Sequence, residues 1–338
     1  MDKIKFAVAG CGNIALKHVE AINAADKAEL TFVYDIDRQK AQQLASGYHV
    51  QWTSDYQEIL KKKNVDVVCI CTPSAFHASM GITAARAGKH VLVEKPMALS
   101  LEDADALIQA CIESQVQLGV VLQNRFKPAV VCLKNAVDQG YFGKLTHGTA
   151  VVRWNRNRSY YQQSSWRGSP AMGGGVLINQ AIHNIDLLNW IMGPVESLSA
   201  YTSKRLLNLE VEDVAVAVLK FNNGALGVIE AASTIYPESL EESIAIFGEK
   251  GTAVIGGKKA DEIKVWKIAG ERGDLFPAEN KIFRAHLSHL PCIEDMINSI
   301  NTGKPPAVNG YEGRKSLEIV LAMQRSANKD KMMELPLS

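Results

Sequence analysis

The chain has no surplus charge of either sign: 37 basic against 36 acidic side chains leave a formal +1 over 338 residues. That balance supplies no field for holding a polyanion, so nucleic acid is excluded as the expected partner and a small ligand takes its place. Long apolar runs are missing too. None approaches the roughly 18 to 20 residues that span a bilayer, so a soluble protein without a membrane partner is expected. Met1 to Gly10 read as a core strand, not as a charged and then apolar leader, and the cytoplasm is the expected location. Cysteine is sparse and scattered. Cys11, Cys69, Cys71, Cys111, Cys132 and Cys292 form no C-x-x-C pair, which argues against a metal or redox centre and for reduced thiols packed as small hydrophobes. One absence is local: between Asp138 and Asp186 there is no acid at all, while Lys144, Arg153, Arg156, Arg158 and Arg167 add five positive charges.

What is present is enough apolar material, 47% of the residues, to bury two cores. Up to residue 122, short β-branched runs (Ile4 to Ala9, Leu30 to Asp35, Val50 to Trp52, Val65 to Cys71, His90 to Glu94, Val116 to Leu122) alternate with helical patterns, the rhythm of a parallel sheet covered on both faces. One such helix is expected over Leu101 to Glu113, with Ser100 as its N-cap. The rhythm changes after Gln123-Asn124-Arg125-Phe126. A helical stretch after Gly175 gives way to strands joined by tight turns, the clearest being Val214 to Phe221, Asn222-Asn223-Gly224 and Ala225 to Ala232, with another turn at Glu249-Lys250-Gly251. The expected fold is therefore α/β: an N-terminal Rossmann domain, a doubly wound parallel sheet over residues 1–122, then an α+β domain over 123–338 with a large open, mostly antiparallel sheet. A last helix near 313–325 could pack back on the first domain.

Gly10-Cys11-Gly12-Asn13-Ile14-Ala15 follows the first strand and opens a helix, the context that gives G-x-G-x-x-A its meaning. Gly10 permits the tight turn, Gly12 lets a pyrophosphate approach the backbone, and Ala15 lets helix pack on strand; Asn13 and Ile14 begin the helix whose N–H groups meet phosphate charge. Asp35 ends the second strand about 20 residues on, placed to accept hydrogen bonds from both ribose hydroxyls and to repel a 2′-phosphate, so NAD is expected over NADP. Asp37 is equally suited to cap the next helix. Lys95, in Glu94-Lys95-Pro96 at the end of the fifth strand, reaches the side of an open sheet where ligands bind, and its cation suits a developing alkoxide or a proton relay. Downstream of Gly173-Gly174-Gly175, Asn179 and His183 are four apart, which on an α-helix sets them on one face: histidine to take a proton near neutral pH, asparagine to orient a hydroxyl.

With Thr72-Pro73-Ser74 and His77, these motifs resemble the Gfo/Idh/MocA family of sugar and cyclitol dehydrogenases over nearly the whole chain. The resemblance implies that Lys95 and His183 flank the substrate hydroxyl, and that Thr72, Pro73, His77 and Glu94 belong to the cofactor side of the site. The family often has Asp where this chain has Asn179. That departure, together with Tyr160-Tyr161 and Ser165-Trp166-Arg167-Gly168, is most similar to the branch of UDP-N-acetylglucosaminuronate 3-dehydrogenases, which serve surface-polysaccharide synthesis; Met172 departs from that branch. An anionic sugar substrate fits the acid-free segment. Guanidinium groups pair bidentately with carboxylate or phosphate, and Arg158, Arg167, Tyr160, Tyr161 and Trp166 are the expected contacts, with Asn179. A neutral sugar or inositol is the alternative substrate, and a homo-oligomer, dimer or tetramer, the expected assembly. A nicotinamide-sensing regulator without chemistry would share the first domain but would have no need of Lys95 and His183.

Overall fold

A computed structural model describes residues 3–162, 165–207, 209–270 and 287–337. The strands β1 (Ile4–Ala9), β2 (Ala28–Tyr34), β3 (Gln51–Thr53), β4 (Val67–Ile70), β5 (His90–Glu94) and β6 (Leu118–Val121) form one parallel sheet in the order β3-β2-β1-β4-β5-β6. Helices α1 (Asn13–Ala24), α2 (Arg38–Tyr48), α3 (Tyr56–Lys61), α4 (His77–Arg86) and α5 (Leu101–Glu113) make the crossovers. Central strands β1 and β4 carry Ala7, Val8, Val67, Val68 and Ile70 with no exposed surface, so hydrophobic burial on both faces fixes the sheet's centre. The strand order reverses between β1 and β4, the switch point where open α/β sheets bind ligands beyond their carboxyl ends. Ser100 caps α5, its hydroxyl accepting from the Asp103 N–H at 3.0 Å.

Beyond β6 come α6 (Pro128–Asp138), β7 (Leu145–Arg153), α7 (Arg158–Gln162), a wide-turn helix over Val176–Ala181 continuing into α8 (Ile182–Met192), and strands β8 (Val195–Ser203), β9 (Val214–Phe221), β10 (Leu226–Ala232), β11 (Glu241–Gly248), β12 (Gly251–Gly256) and β13 (Glu262–Ile268). After these follow α9 (Leu290–Thr302), α10 (Gly310–Lys329) and β14 (Met333–Glu334). The second sheet runs β13-β12-β11-β7-β10-β9-β8-β14, antiparallel except for the β7–β10 pair. Its inner face is covered by α8: a Cβ on Gly148 of β7 would lie 3.0 Å from both Leu188 and Met192. Both hairpins turn where the Asn222-Asn223-Gly224 and Glu249-Lys250-Gly251 signals set them.

The chain was expected to divide once, near residue 122. Instead it forms two compact units, the first comprising 1–123 and 283–314, the second 124–282 and 315–338. The reason is an edge to be satisfied. Val120 of β6 donates its N–H to the Val308 carbonyl, Gly119 bridges to Asn309, and α9 packs on α1 within the first unit. The last helix is also longer than the 313–325 expected; its first turn belongs to the first unit, where Arg314 pairs with Asp105 and Gly313 stands against Val120 and Met97.

Candidate active site

Gly10, Asp35, Thr72 and Lys95 follow the carboxyl ends of β1, β2, β4 and β5 in the first unit. Gly10 has φ 99°, and a Cβ there would lie 2.7 Å from the Cys71 carbonyl carbon, so no other residue fits the turn. Gly12 precedes Asn13 and Ile14 at the start of α1 with no side-chain cap, which leaves first-turn N–H groups for an anion; Ala15 is fully buried. The Asp35 carboxylate accepts from the Cys11 N–H at 2.7 Å and the Asp37 N–H at 2.9 Å, so it is fixed beside the glycine turn. Asp37 caps α2, accepting from the N–H groups of Gln39 and Lys40. Thr72 Oγ1 and Gln123 Oε1 are buried without a hydrogen-bond partner among the described residues, polar atoms that suit a dinucleotide.

Three histidines of this unit, His18, His77 and His289, are turned inward. His77, following Pro73 by one short turn, is 1% exposed and sets its ring nitrogens 2.7 Å from the carbonyl oxygens of Thr72 and Pro96. Its ring ties the chain after β4 to the chain after β5. Burial lowers its pKa, against those two carbonyls. Glu94 is also buried, with Oε1 2.8 Å from His18 Nε2 and 3.2 Å from His289 Nε2. Burial would raise its pKa, but hydrogen bonds from His18 and His289 hold the carboxyl well below the usual range. These three residues are the closest grouping of metal-type ligands among the described residues. The 2.8 Å His18–Glu94 contact has hydrogen-bond length, and Glu94 is the hub that both imidazoles meet.

In the second unit the Gly173-Gly174-Gly175 turn is required by its surroundings: a Cβ on Gly174 would collide with the Arg167 carbonyl, one on Gly175 with the Glu212 carboxylate. Glu212 receives the Leu177 N–H at 3.1 Å, and burial raises its pKa. The helix that follows differs from the expected α-helix. Over Val176–Ala181 it has the wide i→i+5 register, a local form frequent at functional sites, and His183 lies in the regular α8 that continues it. The four-residue spacing of Asn179 and His183 therefore crosses a change of helix type. Asn179 is half-buried and His183 buried.

Gln180 links the residues around Asn179. Its Nε2 donates to Asn179 Oδ1 at 3.0 Å and to the Tyr160 hydroxyl at 2.9 Å, and its Oε1 accepts from Arg156 Nε at 3.3 Å. The Arg156 guanidinium lies 4.9 Å from the Tyr160 ring and that of Arg167 4.2 Å; Arg167 also lies 5.6 Å from Trp166. Among the described residues neither forms an ion pair: the bonds of Arg156 go to Gln180 and the Asn155 carbonyl, that of Arg167 to the Tyr160 carbonyl. Tyr161 is buried edge-on to Tyr160, its hydroxyl pKa raised by burial. Arg153 is the opposite case, bonded to Glu230 and Glu241 on the neighbouring strands, so its charge is already answered. Arg158 begins α7 and its side chain lies outside the described set. Gln180, Arg156 and His18 were not singled out as site residues from sequence. Their signals were Arg156 between Trp154 and Tyr160, and a histidine three residues after Ala15 on the buried face of α1.

A dinucleotide-type Rossmann sheet with its glycine turn, in one chain with a second sheet that carries a glycine turn and a histidine helix, defines an NAD-binding oxidoreductase. Residues 4–122 match the oxidoreductase family with an NAD-binding Rossmann fold, and residues 130–254 match the GFO/IDH/MocA C-terminal domain. The chain belongs to the Gfo/Idh/MocA family. It is similar to the WlbA dehydrogenase from Bordetella pertussis, crystallised with NADH and UDP-GlcNAcA, at 37% identity and TM-score 0.93 over 100% of this chain and 99% of that one. The corresponding enzyme from Chromobacterium violaceum, in complex with the same two ligands, gives 35%, 0.92, 100% and 97%. The myo-inositol 2-dehydrogenase of Thermotoga maritima is 29% identical over 98% of each chain.

Proposed function

We propose that the protein oxidises a secondary hydroxyl of an anionic nucleotide sugar, the 3-hydroxyl of UDP-N-acetylglucosaminuronate or a close relative. The observation that carries this reading is the pair of guanidinium groups, Arg156 and Arg167, on the Tyr160 ring, neither with a carboxylate partner among the described residues and both joined through Tyr160 and Gln180 to Asn179. Two cations with no ion-paired carboxylate among the described residues suit a substrate that brings one. The likeness to two dehydrogenases crystallised with UDP-GlcNAcA supports the same choice. NAD, when bound, accepts the hydride. In this reading His183 takes the hydroxyl proton, Asn179 orients the hydroxyl, and Lys95 supports the proton relay. Gly10, Gly12, Asn13, Ile14, Asp35, Thr72 and Pro73 hold the dinucleotide, and Arg158, Tyr161 and Trp166 complete the substrate side.

A neutral cyclitol is the second reading, favoured by the inositol dehydrogenase likeness over 98% of each chain. Purified protein with NAD is offered UDP-N-acetylglucosaminuronate, UDP-N-acetylglucosamine and myo-inositol, and reduced nicotinamide is followed by absorbance. Turnover of the acid at least about tenfold more efficient than of UDP-N-acetylglucosamine, which keeps the diphosphate but lacks the uronate carboxylate, is expected. Preferred turnover of myo-inositol would replace the reading. A cytoplasmic homo-oligomer is part of the proposal, its contact the outer face of β8, β9 and β10, where Tyr201, Val216, Val218, Leu226 and Val228 are exposed together.

A further inference from the structure

Within the first unit, Lys95 is the single half-exposed residue in the run from Val91 to Ala98; every other member is buried. Its two neighbours are held from within the core by histidines. On one side the Glu94 carboxylate meets His18 Nε2 at 2.8 Å and His289 Nε2 at 3.2 Å, and its other oxygen accepts the Lys95 N–H at 3.3 Å. On the other side the Pro96 carbonyl meets His77 Nδ1 at 2.7 Å. The three imidazoles are 0, 1 and 3% exposed, and Glu94 5%, so none of them presents a surface to a ligand.

We infer that His18, His289 and His77 are positioning residues, a buried frame that clamps Glu94 and Pro96 and thereby aims Lys95. The inference rests on the proposed role of Lys95 in proton relay. The physical reason lies in the cost of loose placement: an ordinary loop leaves a lysine stem its rotamer freedom, whereas a misplacement of about 1 Å at a reacting group costs about a hundredfold in rate. The frame draws on three separate elements, α1 for His18, the start of α4 for His77 and the residue before α9 for His289. Fixing the short segment from three directions removes the backbone freedom that one hydrogen bond would leave. A carboxylate with two donors is also costly to dismantle, because removing one partner leaves the other group buried and unsatisfied. Glu94 and His77, expected to contact the cofactor, are in this assignment one step removed from it.

The test is a double-mutant cycle in the full chain. Glu94→Gln, His77→Leu and His77→Gln are made in wild type and in Lys95→Ala, with turnover, NADH dissociation constant and thermal midpoint measured for each. The expected result is a kcat lowered about 10- to 100-fold in Glu94→Gln and His77→Leu, NADH binding within about threefold, and partial recovery in His77→Gln, whose amide still donates. In the Lys95→Ala background the same changes should add little, because a frame that acts through Lys95 has nothing left to aim. Equal loss with and without Lys95 would mean a structural role only and overturn the inference. Unchanged kcat in folded variants would do the same, as would one equivalent of zinc retained by His18, Glu94 and His289 after purification. Wild-type turnover in Lys95→Ala alone would instead sink the role given to Lys95. Crystal structures of wild type and Glu94→Gln supply a readout without turnover: an Lys95 ammonium displaced by about 1 Å or more supports the frame, and an unmoved one rejects it.

Discussion

Asp35 holds the shape of the glycine turn, and the proposed function gives it cofactor selectivity as well. Its two oxygens take the N–H groups of Cys11 and Asp37, which leaves its charge fixed beside the glycine turn. A 2′-phosphate brought there meets repulsion and loses ribose hydrogen bonds, so NAD should bind on the order of a hundredfold more tightly than NADP. Titrating both cofactors by quenching of protein fluorescence checks this, and tighter NADP binding would remove the assignment. Asp35→Ala should weaken NAD as well, since the Cys11 N–H loses its acceptor. For the substrate, Arg167→Ala and Arg156→Ala should each reduce the efficiency with an anionic sugar about ten- to a hundredfold while sparing a neutral one. His183→Ala should lower turnover about a hundredfold with NADH affinity intact; near-normal turnover across the pH range would require another base.

Much at this scale was legible beforehand because backbone chemistry dictates it. Gly10 must be glycine, Asp37 and Ser100 must cap, and their sequence contexts say so. Which arginine is free to meet a ligand was not legible. Arg153 and Arg156 look alike in sequence, yet Arg153 meets Glu230 and Glu241 only because β7 lies between β10 and β11. A cross-strand partner tens of residues away leaves no local trace.

At the scale of elements, strand centres were readable and ends less so: Val65 and Cys71, expected in β4, flank a strand confined to Val67–Ile70. The wide helical turn over Val176–Ala181 had no sequence signal, since a bulge in helix register depends on what the glycines before it touch. Near it, α8 is anchored by Asp186, which is 1% exposed and accepts from Arg125 Nε at 2.8 Å, from its Nη2 at 2.6 Å and from the Ser316 hydroxyl at 2.5 Å. Three elements meet on one carboxylate. Removing it takes the carboxylate from a buried Arg125 cation, so Asp186→Ala should cost about 3 to 5 kcal/mol in urea denaturation. A change within 1 kcal/mol would show that water reaches the pair.

For the whole molecule, acid is the expected weakness. His18 and His77 are buried with pKa values lowered, first of all by burial, and the carboxyl of Glu94 is held low by its histidine partners. In each case the folded protein binds fewer protons than the unfolded chain, so the stability these groups contribute is present above the unfolded pKa and is lost as pH falls. The histidine part should fade below about pH 6.5 and the Glu94 part below about pH 4.5. Urea midpoints between pH 8 and pH 5 measure the first, and a flat or rising midpoint on acidification would contradict it. Val218→Glu on the exposed outer face of β9 should lower the sedimenting mass if that face joins copies of the chain.

The first unit is built from two stretches of chain, residues 1–123 and 283–314, and order of synthesis gives this a consequence. A ribosome adds about 5 to 20 residues per second, so roughly 8 to 35 seconds separate the emergence of β6 from that of α9. Through that interval the nascent Rossmann sheet lacks the strand-like segment at Val308 and the helix that lies on α1, and Glu94 has one of its two imidazoles. Seven of the second sheet's eight strands, β7 to β13, emerge before α9 does. The nascent chain thus carries an uncovered β6 edge throughout that interval, and that edge is where a chaperone or a misdirected strand would first take hold.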